Sequence, residues 1–246
     1  MFPAVKEVPV VFLVVESSPS VREALCYALL SFGIQGVPAA SRKAAWEALD
    51  ADGKIEGAIV DIDNADVEGA RLVREIKENP RTRGLAVIVH TIESGRDAVM
   101  KMIEIGVAGY LLKPFSQETA HDKLSAILTK LSTHNSQRRH IRVKPDPDEL
   151  SRVHFRLGRS PQLVSGRIID ISLGGMAVEL FNPPSPEVLA PGVHVDKLQF
   201  VLAGRELSPA GVVILLKARV LALRFESLGR ADTLSLERYV FKRISS

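Results

Sequence analysis

Val10-Val-Phe-Leu-Val-Val15, running into Glu16-Ser-Ser18-Pro19, decides the first half of this chain. Six apolar residues without alternation make a strand buried on both faces, as in a parallel sheet with helices on each side. Ser18 then stands at an N-cap, with Pro19 at the first helical position. Outward from this stretch the unit repeats: apolar runs at Gly57 to Val60, Leu85 to Val89 and Ala108 to Leu112 alternate with helices opening at Ser41, Ser94 and Ser116. Residues 8–132 therefore predict a doubly wound α/β domain around a parallel five-stranded sheet.

The remainder reads differently. Ser132 to Gln137, Arg138-Arg-His-Ile-Arg142 and Pro145-Asp-Pro-Asp148 are polar, charged and proline-rich, and predict a linker over 133–149. Beyond it the period becomes two, as Val153, Phe155 and Leu157 alternate with His154, Arg156 and Gly158. Further strands are expected at Leu163 to Ile171, Gly175 to Leu180, Val195 to Leu202, Gly211 to Leu215 and Arg219 to Phe225. Residues 150–246 thus predict an all-β six-stranded barrel, closed by a C-terminal helix from Ala231 to Arg243.

The whole chain of 246 residues is 46% apolar and 25% charged, ordinary for a globular protein. No apolar run approaches the ~20 residues of a membrane span and no signal pattern precedes the first strand, so the expected location is cytoplasmic. Six histidines lack HxH or HExxH spacing, which points away from structural zinc, and the single Cys26 reads as a small core residue. Residues 1–136 carry 15 Lys and Arg against 18 Asp and Glu, whereas residues 137–246 carry 17 against 11. An anionic partner is therefore to be sought in the second half.

In a doubly wound sheet, ligands bind at the carboxyl ends of the strands. Glu16, Asp61, Thr91 and Lys113-Pro114 follow the first, third, fourth and fifth strands. With the Gly57 to Asp61 strand, the Asp66 to Gly69 turn and Ala108 to Phe115, this set resembles the response-regulator receiver domain across nearly all of residues 8–132. The resemblance implies phosphoryl transfer onto Asp61, a histidine kinase as partner, phosphoryl oxygens contacted by Thr91 and Lys113, and magnesium neutralising the charge.

The family has two consecutive acids after the first strand, but here the pair is Glu16-Ser17. Losing one carboxylate weakens a magnesium cage, and Asp63 is the candidate to restore one through a bridging water, so the metal set would be Glu16, Asp61 and Asp63. Ala65 replaces a common proline, and Tyr110 stands where the family often has a reorienting aromatic. Two readings stay open: a phosphorylated Asp61, or an unphosphorylated domain kept for docking or dimerisation.

In the second half, Arg138-Arg-His-Ile-Arg142 and, 28 residues beyond Arg142, Asp170-Ile-Ser-Leu-Gly-Gly175 stand ahead of a strand-rich segment and helix. Either alone is weak. Together they resemble the PilZ domain over residues 137–244, including Val220 to Phe225, with Gln137 and Ala222 as departures from its pattern. The resemblance implies binding of the bacterial second messenger cyclic di-GMP.

The residue chemistry suits such a ligand. Arg138 and Arg142 offer bidentate forks to phosphate and planar faces to guanine, with Arg139 as a third contact. Asp170 accepts from guanine N–H groups, Ser172 donates, and Gly174 and Gly175 allow positive φ and close backbone approach. The expected function is a non-enzymatic signalling adaptor in which ligand capture repositions the receiver and the output is a contact with a downstream protein. The alternatives are a scaffold whose PilZ domain binds no nucleotide and, weakest, a nucleic-acid-binding regulator, which lacks an aromatic platform or recognition helix.

Overall fold

The computed structural model describes residues 9–245 except 52, 96–99, 101, 116, 132–139, 147, 150, 158–162 and 186, with the side chains of 117–121, 130 and 131 also outside it. The chain divides into two compact units, Met1–Arg139 and His140–Ser246.

In the first unit, strands β1 (Val10–Val15), β2 (Ile34–Ala39), β3 (Ile55–Asp61), β4 (Ala86–Thr91) and β5 (Gly109–Leu112) form a parallel sheet in the order β2-β1-β3-β4-β5. Of the four strands read as apolar runs, the three central ones are buried almost throughout, while the edge strand β5 is only partly buried. Val11, Leu13 and Val15 of β1 share one core layer with Leu72, Val73 and Ile76 of helix α3 (Gly69–Glu78). The pleat turns Phe12 and Val14 to the other face, where α1 (Pro19–Leu30) packs on β1 and on α4 (Gln117–Leu131). Truncating the fully buried Leu13 to Ala would cost about 2–5 kcal/mol.

The helix starts follow their signals unevenly. Ser41 caps α2 (Arg42–Ala51), its hydroxyl accepting from the Ala44 N–H at 3.2 Å, whereas Ser18 holds the N-cap position of α1 without a side-chain capping bond. Ser94 is described but residues 96–99 are not, and Ser116 lies outside the described residues. Cys26 is fully buried on α1 and burial pushes its thiol up to about 12, as expected of a core residue.

The second unit departs from the expected six-stranded barrel. It is an eight-stranded antiparallel sheet: β6 (Arg152–Arg156), β7 (Leu163–Ser172), β8 (Gly175–Leu180), β9 (His194–Val195), β10 (Gln199–Leu202), β11 (Arg205–Leu207), β12 (Ala210–Lys217) and β13 (Val220–Ser227). Its order is β11-β10-β6-β7-β8-β13-β12-β9. The single strand expected over Val195 to Leu202 is two, because β9 pairs with β12 while β10 pairs with β6 and β11.

Connectivity forces this sheet to coil. Only Asp196, Lys197 and Leu198 link β9 at one end of the order to β10 near the other, a reach of at most about 14 Å. Ser208 and Pro209 link β11 to β12 in the same way, and the Leu198 N–H donates to the Pro209 carbonyl at 2.8 Å. Phe200 and Phe225 stack across the interior with centroids 6.3 Å apart. Among the described residues no ladder joins the two ends, so the sheet does not close into a barrel.

Helix α5 (Arg230–Ile244) buries Leu236, Tyr239 and Val240. It also grips the segment read from sequence as linker: Tyr239 donates to Glu149 at 2.6 Å, and Arg243 pairs with Asp146 at 2.9 Å. Val143 exchanges two backbone hydrogen bonds with Ile171, each 2.9 Å long.

Candidate functional site

Two groups of side chains emerge, one in each unit. In the first, the carboxyl ends of β3, β4 and β5 bring together Asp61, Asp63, Thr91 and Lys113. Asp61 is 2% exposed, and the Lys113 ammonium lies 2.6 Å from its Oδ1 and 3.1 Å from Asp63 Oδ2. The Lys113–Pro114 peptide bond is cis. The Asp63 N–H donates to Asp61 Oδ1 at 3.0 Å. The Asp63 carboxylate accepts from the Thr91 hydroxyl and the Ile92 N–H, both at 2.7 Å.

Gly69, at the start of α3, makes this packing feasible. A Cβ there would lie 1.8 Å from the Asp61 carbonyl oxygen, so only glycine fits the approach of α3 to the end of β3. The residue before it, Glu68, takes the left-handed conformation with φ 47°.

Glu16 stands apart from this group. Its buried carboxylate accepts the Ser18 N–H at 3.0 Å and lies 3.2 Å from His90 Nδ1, on the strand residue just before Thr91. Ser17, at the position of the family's second acid, is bonded by Asn64 Nδ2 at 2.6 Å. The magnesium trio expected as Glu16, Asp61 and Asp63 is therefore not assembled. His90 draws off the first member and the Lys113 ammonium bridges the other two. Among the described residues no three His, Cys, Asp or Glu side chains gather as a metal-ligand set. A magnesium ion, which demands near-octahedral oxygens at short range, does not fit this arrangement.

The electrostatics agree with the geometry. Burial works to raise the Asp63 carboxyl, but hydrogen bonds from Thr91, Ile92 and Lys113, with the Lys113 charge, hold it below its ordinary value. Burial likewise opposes ionisation of Glu16, and its bonds from His90 and Ser18 outweigh that and lower it. Lys113 is raised, because Asp61 and Asp63 overcome its own desolvation. Tyr110 lies at the edge of the unit on β5, 43% exposed.

In the second unit the two motif halves meet. The Val143–Ile171 bridge lays the arginine segment beside β7, and Arg142 Nη1 reaches Asp170 Oδ1 at 2.8 Å, with the two side chains 40% and 28% exposed. Arg138 and Arg139 lie outside the described residues.

The turn from β7 to β8 is pinned by Ser172. Its buried hydroxyl accepts the Gly174 N–H at 3.3 Å and donates to the Gly175 carbonyl at 3.2 Å, so it shapes the turn rather than facing outward. The expected positive φ is absent: neither Gly174 nor Gly175 is among the glycines that adopt it. Close approach alone demands them. A Cβ on Gly175 would lie 2.1 Å from the Leu223 carbonyl, and one on Gly174 would lie 2.3 Å from the His140 ring. His140, inside the arginine motif, is thus part of this site, although the sequence offered no signal for it.

Parallel order β2-β1-β3-β4-β5 with an aspartate, a threonine and a lysine at successive strand ends defines a receiver-type signalling domain. The response regulator receiver domain model matches residues 12–125. The chain is 30% identical over 117 residues to the chemotaxis protein CheY1 of Helicobacter pylori, covering 47% of this chain and 94% of that protein. It is 26% identical over 117 residues to the chemotaxis protein CheY homolog of Campylobacter jejuni, covering 90% of it. Among solved structures it is similar to the chemotaxis response regulator CheY4 of Vibrio cholerae, with 21% identity, a TM-score of 0.44, and coverage of 49% of this chain and 99% of that one. The chain belongs to the response-regulator receiver family. No helix among the described residues is long and apolar enough to cross a membrane.

Proposed function

We propose that the second unit is a PilZ-type receptor for cyclic di-GMP and that the whole chain is a non-enzymatic signalling adaptor. The observation that carries this reading is the 2.8 Å pairing of Arg142 with Asp170, which unites two motif halves 28 residues apart beside a glycine turn. Two phosphodiesters and two guanines need a guanidinium fork, a carboxylate for the base edge and a surface without intruding side chains. Arg142 and Asp170 supply the fork and the carboxylate, and the Ser172-pinned turn lies beside them with the His140 ring packed on Gly174.

The pair is also easily opened. A half-exposed ion pair contributes only about 0–1 kcal/mol, so a ligand phosphate can take Arg142 while Asp170 turns to guanine. Arg138 and Arg139 act from the segment that joins α4 to this unit. Capture of the ligand by these arginines reorients the receiver, and the output is a contact with a downstream protein.

The direct test is calorimetry with cyclic di-GMP on the full chain and on Arg142→Ala. Saturable binding lost in the variant is expected. Binding unaffected by the substitution, or none in the wild type, refutes the reading. Small-angle scattering with and without ligand checks the mechanical half, and identical profiles at saturation would reject repositioning.

A further inference from the structure

We propose that Asp63 is a built-in occupant of the receiver's anion pocket, its carboxylate seated where phosphoryl oxygens would be held. Three donors converge on it: the Thr91 hydroxyl and Ile92 N–H from the end of β4, each at 2.7 Å, and the Lys113 ammonium from the end of β5, at 3.1 Å. A hydroxyl, a main-chain N–H and an ammonium around one anion form the donor set suited to a phosphoryl group, whose oxygens accept several charge-assisted bonds. Thr91 and Lys113 are the two residues that the receiver resemblance assigns to phosphoryl oxygens, and Asp63 engages both.

An ordinary loop aspartate would cap its own turn. The acceptor bonds of Asp63 instead cross 28 and 50 residues to two other strand ends. The same contact accounts for the poor magnesium fit. Lys113 bridges Asp61 and Asp63 as a resident cation, and Glu16 is committed to His90 and Ser18. A phosphoryl group on Asp61 would have to displace the Asp63 carboxylate from all three donors and then remain beside it as a like charge. Thr91 and Lys113 are thereby kept in an anion-bound arrangement without covalent modification.

The experiment is an amide proton–nitrogen spectrum of the full chain titrated with magnesium and beryllofluoride, a phosphoryl analogue, for wild type, Asp63→Ala and Asp63→Asn. In the wild type the Ile92 amide should lie downfield, hydrogen-bonded, and should not move. In Asp63→Ala it should lie upfield and return downfield as the analogue binds, with affinity at least about tenfold above wild type. Asp63→Asn, which keeps the shape and loses the charge, should respond between the two and serves alone if the alanine variant does not fold. A wild-type Ile92 amide that responds as strongly as the variants overturns the proposal. So does an Ile92 amide whose position and response are the same in all three proteins.

Discussion

Each unit sets a cation against carboxylates, and the two settings have opposite consequences. In the receiver, Lys113 lies between Asp61 and Asp63 at the ends of buried strands, with further donors from Thr91 and Ile92 completing the cluster. In the second unit, Arg142 meets Asp170 alone among the described residues, with both side chains substantially exposed. Removing either partner of a well-satisfied, desolvated cluster strands the others, whereas an exposed pair exchanges partners at little cost. The first site is therefore closed around its own residues, whereas the second holds a pair that the proposed function requires to open to an incoming anion.

The largest expected effect is on the open site. Arg142→Ala removes the guanidinium fork proposed to take a ligand phosphate and should weaken cyclic di-GMP binding about 100-fold or more, measured by calorimetry. Retained affinity would dissolve the contrast between the sites.

Next come the two glycines that let backbone approach backbone. Gly69→Ala drives a Cβ toward the Asp61 carbonyl, and Gly175→Ala drives one toward the Leu223 carbonyl. Each should destabilise its own unit by about 1–3 kcal/mol in urea unfolding. A loss confined to the other unit would contradict the placement of these contacts.

A smaller effect separates the sites by pH. Asp63 is held below its ordinary value of 3.8, so its stabilising contribution is complete above about pH 4 and is lost as pH falls through the lower folded value. Comparing urea unfolding of wild type and Asp63→Asn from neutral pH downward should show a stability gap that narrows with acidification. A gap that is flat or widens toward acid has the wrong sign for this account. The smallest effect is the Arg142–Asp170 pair itself, for which a double-mutant cycle on unfolding should return no more than about 1 kcal/mol of coupling.

Much of the receiver was legible because its signals are local. Unbroken apolar runs at Val10 to Val15 and Gly57 to Val60 read as strands buried on both faces and are so, and Ser41 behaved as the cap it was read to be. The Arg142 and Asp170 motifs were visible as residue types at a spacing, and they meet in space.

What escaped depends on distance in the chain. Val195 to Leu202 has the period of one strand, and only pairing to β12 on one side and β6 on the other divides it at Asp196. Glu16 read as a metal ligand because nothing in the sequence announces His90, 74 residues away, as its partner. Gly174 and Gly175 read as positive-φ positions, whereas the need for glycine comes from His140 and Leu223 packed against them. Asp63 was picked out for its charge, but its engagement with Thr91, Ile92 and Lys113 exists only once three strand ends are brought together.

The most direct test of an open second site is a cyclic di-GMP titration of the full chain read on the amides of Asp170 and Gly174. The account predicts that both move saturably in the wild type and stay still in Arg142→Ala. Amides that do not move at saturating ligand, or that move equally in the variant, would contradict it.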